Sequence, residues 1–371
     1  MTTDDAFLTS YTDDVSSYPA PTAYQAVDPS VFDGFSDAEI AGLVYTALSL
    51  SLLSAIASVF IIVTFFKFPR LHTFAYKVIM MLAVANLCLD GAYLVGNAGH
   101  DNWRCTAQGF ARVYFALVEF ALVTAITLTC YVMIVKHEFT IRERFWKVMA
   151  YCWLIPLVMA CLPFTTSNYG DAGSWCSITA RDLKSLEWGT FWRFGVIYIP
   201  LWLCVGVNAY MCFKVYRAMR GFEATMVAYA EPLPGTGEAG EVEVVVSGRG
   251  EGGGGERGRG RAVESSTSMP IINRLRLYPI ALVVCWSWAT VNRVLEAINP
   301  YVDSVYWLYV LQYTFQTIQG VLNLIIFLRT PSVREEWRDQ IAKWRAARQR
   351  VRSVDHAALL TSSVSSGESP Q

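Results

Sequence analysis

The chain has 371 residues, of which 54% are hydrophobic and only 16% charged, with a formal net charge of −1 and a mean hydropathy of +0.33. Soluble chains carry about a quarter charged residues, so this apolar excess points to a membrane. The near-zero charge excludes a typical nucleic-acid binder, which needs a large basic excess.

Residues 1–38 form an acidic tail without Lys or Arg, carrying Asp4, Asp5, Asp13, Asp14, Asp28, Asp33 and Asp37. They contain neither a basic n-region nor an apolar h-region, so no cleavable signal peptide is expected and the first hydrophobic span directs insertion. Hydrophobic runs then follow at Val44–Phe66, Phe74–Val95, Ala107–Val135, Val148–Phe164, Phe194–Phe213, Leu277–Ile298 and Val305–Leu328. Each reaches or approaches the roughly 20 residues that cross a hydrocarbon core as a helix. The fourth is the shortest and carries Pro156, but Trp146, Tyr151 and Trp153 suit an interfacial anchor. The expected fold is an all-α membrane protein, a bundle of seven transmembrane helices. Residues 39–216 hold the first five spans and 274–328 the last two.

Basic residues sort to one side. Lys67, Arg70, His72 and Lys77 follow the first span, and Lys136, His137, Arg142, Arg144 and Lys147 follow the third. Lys214, Arg217, Arg220, Arg274 and Arg276 flank the fifth and sixth. By the positive-inside rule the amino terminus lies outside and the carboxyl terminus in the cytoplasm. Residues 217–273 form the long inner loop, Gly-rich with alternating Glu and Arg and free of aromatics in its core; such a segment buries too little to offset its ordering entropy and is expected to be disordered. Its RGRGR run could be an RNA-binding tail, but the interleaved glutamates favour a solvated linker.

After the seventh span, residues 331–352 place Trp337, Ile341 and Trp344 at i, i+4 and i+7 amid Arg and Lys, an amphipathic eighth helix suited to the inner membrane surface and its lipids. A soluble helix docked on nothing would leave both Trp exposed. No cysteine follows Cys285, so palmitate cannot anchor it. Residues 353–371 are a Ser-rich tail, either a phosphorylation cluster that could meet an arrestin or receptor kinase, or merely flexible.

Of the nine cysteines, only Cys105 and Cys176 fall in outward segments, where oxidising conditions allow a bridge; the alternative is two free thiols. The others read as small apolar packing residues. Charges inside the spans are the candidate site. Arg112 and Glu119 are nearly two helical turns apart on one face of the third span; each either pairs with another helix or lines an outward cavity. Asp90 lies in the outer half of the second span, and Arg293 and Glu296, at i and i+3 in the sixth, could form a local pair. With Arg193, Arg181 and Lys184 they would place positive charge in the outer half, so an anionic ligand is expected to meet Arg193, Arg293, Arg181 and Lys184. Gln312, Gln316, Gln319 and Asn323 form a polar stripe on the seventh span, read as interhelical hydrogen bonding.

No Walker loop, metal-ligand cluster, GxSxG or HExxH occurs, so neither enzymatic activity nor a cofactor is expected. A retinal Schiff base needs an intramembrane lysine, and none lies between Lys214 and Lys343. A transporter or channel using Asp90, Glu119 and Arg112 as a polar path is the competing class, although it would usually show repeated halves or broken helices.

Lys77, Asp90, Cys105, the run YVMIVKHE, ERF at Glu143–Phe145, CWLIPL at Cys152–Leu157, SWCSI at Ser174–Ile178, RFGVIYIP at Arg193–Pro200 and VCWSWATVNR at Val284–Arg293 together resemble the cyclic-AMP-receptor-like family of G protein-coupled receptors. The match covers roughly Lys77 to Asn299. It implies a plasma-membrane receptor with an outward pocket for a small, cyclic-nucleotide-like ligand, a Cys105–Cys176 disulfide, and an inner surface for a heterotrimeric G protein. Lys136, His137, Arg144, Lys214, Arg217, Arg274 and Arg276 are the candidate coupling residues. Arg112, Glu119 and Glu296 have no counterpart in the family pattern, and neither the DRY nor the NPxxY signature of rhodopsin-like receptors is present.

Overall fold

The first helix starts on a capping box: Ser36 accepts from the Glu39 amide at 3.3 Å, and the Glu39 carboxylate accepts from the Ser36 amide at 2.9 Å. Two orphan donors are thereby satisfied, and the helix runs Asp37–Lys67, starting outside the apolar run itself. In this computed structural model, residues 35–96, 102–138, 143–171, 175–179, 183–230, 275–298 and 305–365 are described.

The second and third spans are Phe74–Leu94 and Trp103–Val135; Asn102 caps the third by accepting from the Cys105 amide at 2.9 Å. The fourth, Phe145–Cys161, tightens into a 3₁₀ segment at Leu162–Thr166. A short antiparallel hairpin follows, β1 (Tyr169–Asp171) with β2 (Cys176–Ile178), pairing Tyr169 with Ile178 and Asp171 with Cys176. The fifth span is three pieces: a helix at Leu183–Trp192, a π-helical stretch at Arg193–Tyr198, and a helix at Ile199–Ala230. That last helix continues well past Arg217, so the first residues expected to be disordered loop are helical; the rest of the loop lies outside the described residues.

The sixth span is Leu277–Ile298, and the seventh comprises Tyr306–Thr317 and Gln319–Leu328, bent by 42° at Ile318. Five helices among the described residues are long and apolar enough to cross a bilayer, and the bent pair makes a sixth. The sixth span completes the seven, with Asn292 and Arg293 toward its outer end.

The third span packs against the second, fourth, fifth and sixth and against both strands of the hairpin. It is buried along its length, from Val113, Leu117 and Val118 to Leu122 and Ile126. The first span shows why this core belongs in lipid: Ser51, Ser54 and Ser58 are fully buried, while Leu52, Leu53, Ile56 and Val63 face outward. Lipid tails are as apolar as leucine, so helix association there rests on close packing and hydrogen bonds. Gly320 shows the closeness, because a Cβ at that position would collide with the Ser54 hydroxyl and lie 2.9 Å from the Ser54 carbonyl. The Gly320 amide instead donates to Ser54 Oγ at 3.1 Å.

The cytoplasmic helix is longer than the sequence pattern indicates, running Pro331–Ser365 rather than ending near residue 352. No Gly or Pro interrupts it before Gly367, and Ala357–Leu360 are good helix formers. Trp337 does not face lipid, as its place in the apolar stripe suggests. It stacks on Phe60 at 5.4 Å between ring centroids and meets the edge of Phe68 at 5.4 Å, with Lys67 Nζ 4.7 Å from its ring. Ile341 and Trp344 remain exposed for the membrane surface.

Candidate functional site

The outer end of the bundle is closed by the β1–β2 hairpin. The Cys105–Cys176 disulfide, with Cα atoms 5.2 Å apart, pins it to the top of the third span. Gly109 lets it settle there, since a Cβ would come within 3.2 Å of the Ser177 backbone. Gln108 stitches three elements: its amide nitrogen donates to Ala92 O at 2.9 Å and Gly96 O at 2.6 Å, while its oxygen accepts from the Cys176 amide at 3.2 Å. Behind the hairpin, Asn168 Nδ2 donates to Thr179 O at 2.9 Å and its Oδ1 accepts from the Thr166 hydroxyl, which in turn accepts from Trp192 Nε1 at 2.7 Å. Burial pushes the Tyr169 phenol well above its ordinary range, so it stays protonated and donates to Ala160 O at 2.8 Å.

Beneath this lid lies a cavity enclosing about 700 Å³ of space, solvent at its mouth included. Three guanidinium groups line it. Arg112 comes from the third span, Arg193 from the π-helical turn of the fifth, and Arg293 from the sixth. Among the described lining residues there is no carboxylate. Arg193 Nε donates to Ile178 O at 2.8 Å, and Arg293 stands 5.8 Å from the Tyr309 ring. Trp286 and Tyr198 lie deeper: Trp286 Nε1 donates to Gln319 at 3.1 Å, and the Tyr198 hydroxyl donates to Ala289 O at 3.4 Å. Three residues of the polar stripe on the seventh span bond between helices, with Asn292 Nδ2 donating to Gln312 at 2.7 Å, the Tyr93 hydroxyl to Gln316 at 3.4 Å and Trp286 to Gln319, whereas Asn323 Nδ2 is buried without a hydrogen-bond partner among the described residues.

The expected charges therefore do not all share one pocket. Asp90 and Glu119 lie outside the cavity lining, buried between helices. Glu119 is 0% exposed and neither of its oxygens has a hydrogen-bond partner; Asp90 Oδ2 has none either. A polar path running through Asp90, Glu119 and Arg112 would need all three on one lining, and the cavity reaches only Arg112. Arg181 lies outside the described residues, and the side chains of Lys184 and Glu296 do as well. Tyr93, Trp175 and Tyr313, which the sequence reading passed over, form the aromatic part of the site. Trp175 carried a usable signal, because it precedes the one outward cysteine that can reach Cys105.

At the inner end, Lys136 caps the third span and His137 adopts a left-handed backbone with φ 55°. Both are exposed, as are Arg144, Arg217 and Arg276; Lys214 is half-buried with its Nζ 5.5 Å from the Tyr210 ring. Arg274 lies outside the described residues. Among the described residues, no group of three or more His, Cys, Asp or Glu side chains could hold a metal ion.

A lidded outer cavity over seven helices, with a basic inner rim, is the architecture of a signalling receptor, and the chain belongs to the seven-transmembrane receptor (rhodopsin) family, whose pattern matches residues 57–327. It is a multi-pass protein of the plasma membrane, and its family consists of receptors rather than enzymes. Its relatives include G-protein coupled receptor 1 of Arabidopsis thaliana, 24% identical over 285 residues, covering 76% of this chain and 77% of that protein. An ascaroside receptor of Arthrobotrys oligospora is 29% identical over 201 residues, 50% of this chain and 46% of that one. The cyclic AMP receptor-like protein A of Dictyostelium discoideum is 30% identical over 151 residues, 41% of this chain and 40% of that one. The chain thus spans less than half the length of these last two. The crystal structure of squid rhodopsin superposes with a TM-score of 0.63 at 16% identity, covering 82% of this chain and 85% of that one, which establishes the shared fold.

Proposed function

We propose that this receptor takes an anionic small molecule into the outer cavity and passes the event to a heterotrimeric G protein at its inner face. The observation that carries the reading is the convergence of Arg112, Arg193 and Arg293 on one cavity without a carboxylate among its described lining residues. Like charges brought together in a low-dielectric site repel one another, and a bound anion relieves that repulsion. Two relatives are named for ascarosides and for similarity to cyclic AMP receptors, and a cyclic nucleotide is an anion.

Transmission follows from what the cavity floor touches. Tyr198 ties the fifth span to Ala289 of the sixth, and Trp286 of the sixth is tied to Gln319 of the seventh. A ligand that prefers one arrangement of these helices shifts the population at their inner ends. There Lys136, His137, Arg144, Lys214, Arg217 and Arg276 offer a basic rim to the G protein, and the Ser-rich tail offers sites for a kinase or arrestin.

The test is guanine-nucleotide exchange on purified G proteins by the receptor in nanodiscs, challenged with carboxylates, phosphate esters and cyclic nucleotides. An anion should activate, and Arg193→Gln and Arg293→Gln should each weaken its potency by at least about tenfold, the cost of one charged hydrogen bond. Potency indifferent to both substitutions would refute the reading.

A further inference from the structure

Arg112 is held by neutral acceptors on two different elements. Its Nη1 donates to Cys176 O at 3.0 Å, on the lid, and its Nη2 to the Tyr93 hydroxyl at 3.0 Å, on the second span. The guanidinium carbon lies 4.3 Å from the Tyr93 ring and 5.3 Å from the Trp175 ring. Both acceptors are neutral, Nε is buried without a partner, and Arg112 has no ion pair among the described residues. Trp175 is wedged into the same space, 5.5 Å from Tyr93 and 3.9 Å from Tyr313 between ring centroids, and is only 3% exposed. The cation is therefore partly buried and hydrogen-bonded, but no carboxylate among the described residues compensates its charge.

We infer that Arg112 is the anchor for the ligand's anionic group, and that it binds by exchange: two oxygens of a carboxylate or phosphoryl group replace Cys176 O and the Tyr93 hydroxyl on the guanidinium fork. The inference rests on the reading of the cavity as an anion site and specifies which arginine acts first and what it releases. A charged, bidentate acceptor forms hydrogen bonds roughly twice as strong as a neutral one, so the exchange runs toward the anion. The body of the ligand is apolar or aromatic, since Leu89, Val113, Ala116, Ile197 and Trp286 form the walls around the arginines.

The exchange has a mechanical consequence at one residue. Cys176 is attached to the third span three times, covalently through its sulfur to Cys105 and reversibly through its amide to Gln108 and its carbonyl to Arg112. Losing the Arg112 attachment leaves the lid tethered by the disulfide, strains the single remaining bond to Gln108 and frees Trp175 to leave the space between Tyr93 and Tyr313. Arg193, bonded to Ile178 O at the other end of β2, keeps that end in place. Anchoring the ligand and emptying the cavity of Trp175 are one event.

The experiment uses the full-length receptor in nanodiscs with 4-phenylbutyrate and phenyl phosphate as probes and 4-phenylbutyramide as the neutral control. Binding is followed by calorimetry, and the lid by hydrogen exchange of the Cys176 amide, which donates to Gln108. The anions should bind and the amide should not, and saturation with either anion should speed exchange at Cys176 at least tenfold. Tyr93→Phe keeps the ring but removes one competing acceptor, so it should tighten anion binding about tenfold and raise lid exchange in the unliganded receptor. Arg112→Lys keeps the charge and loses the fork, so it should weaken binding by at least about tenfold while surface expression is retained. If the anions bind in an Arg193- and Arg293-dependent way but Tyr93→Phe leaves affinity unchanged and Cys176 stays protected, the exchange is wrong and the cavity reading stands. If neither anion binds, both fall.

Discussion

Arg112 and Glu119 stand about two turns apart on one helix, and the protein finishes them in opposite ways. Arg112 makes two hydrogen bonds, one to a lid residue 64 positions away in sequence, and rests against two aromatic rings. Glu119 is wholly buried, and neither carboxyl oxygen has a hydrogen-bond partner among the described residues. The same incompleteness surrounds it in the bundle, at Ser51 Oγ, Ser58 Oγ, Asp90 Oδ2 and Asn323 Nδ2. The contrast separates two uses of polarity inside a membrane. Groups near the mouth have partners a ligand can replace, whereas these deep atoms have no hydrogen-bond partner among the described residues.

Four substitutions probe that contrast, beginning with the largest effect. Cys176→Ser removes a bridge spanning 71 residues of sequence, which in the chain-entropy picture is worth about 4 kcal/mol. Thermal unfolding in detergent should show that loss with the lid detached, while Cys285→Ser, deep in the core, should change it far less. In the deep layer, Gly320→Val forces a side chain against Ser54 and should cost about 2–3 kcal/mol by overpacking. Adding Ser54→Gly should recover part of it, because the Ser54 carbonyl and the Ser58 hydroxyl remain in the way, and a double-mutant cycle that shows no coupling would mean the two helices do not meet there.

Glu119→Gln tests the deep layer from the other side. It preserves shape and removes a buried unpartnered acid, so stability should rise by about 1–2 kcal/mol, whereas the same amide exchange at a well-bonded carboxylate would lower it. A fall in the unfolding midpoint would show that Glu119 has a strong partner after all. The smallest effect lies outside both regions. Arg70 pairs with Glu336 at 3.3 Å, but its side chain is 80% exposed, so Arg70→Ala should shift stability by no more than about 0.5 kcal/mol.

Some of the site was legible in advance and some was not. The bridge was, because only two cysteines fall in outward segments. Arg193 and Arg293 were placed in the outer half by span boundaries alone, and both line the cavity. The grouping of Asp90 and Glu119 with them was not sound, since depth along a helix can be counted but the direction of a side chain depends on its neighbours. Tyr93 and Tyr313 carried no signal because aromatic residues are common in membrane helices and nothing local marks the ones that meet, whereas Trp175 had its place before Cys176.

Apolar runs that reach or approach the length a bilayer needs, interrupted by polar connections, were enough to determine seven spans, because lipid leaves the backbone no option there but to bond to itself within a helix. Exact ends were set by local chemistry finer than hydropathy, as the Ser36–Glu39 box and the extension of the last helix to Ser365 show. Only the tertiary structure decided the bend at Ile318, the π-helical turn that carries Arg193, and the division of charge between cavity and core. Those features depend on contacts between residues far apart in the chain. Arg112 is the clearest case: its partners are a carbonyl of the lid and a phenol of another helix, and no reading of its own segment could supply them.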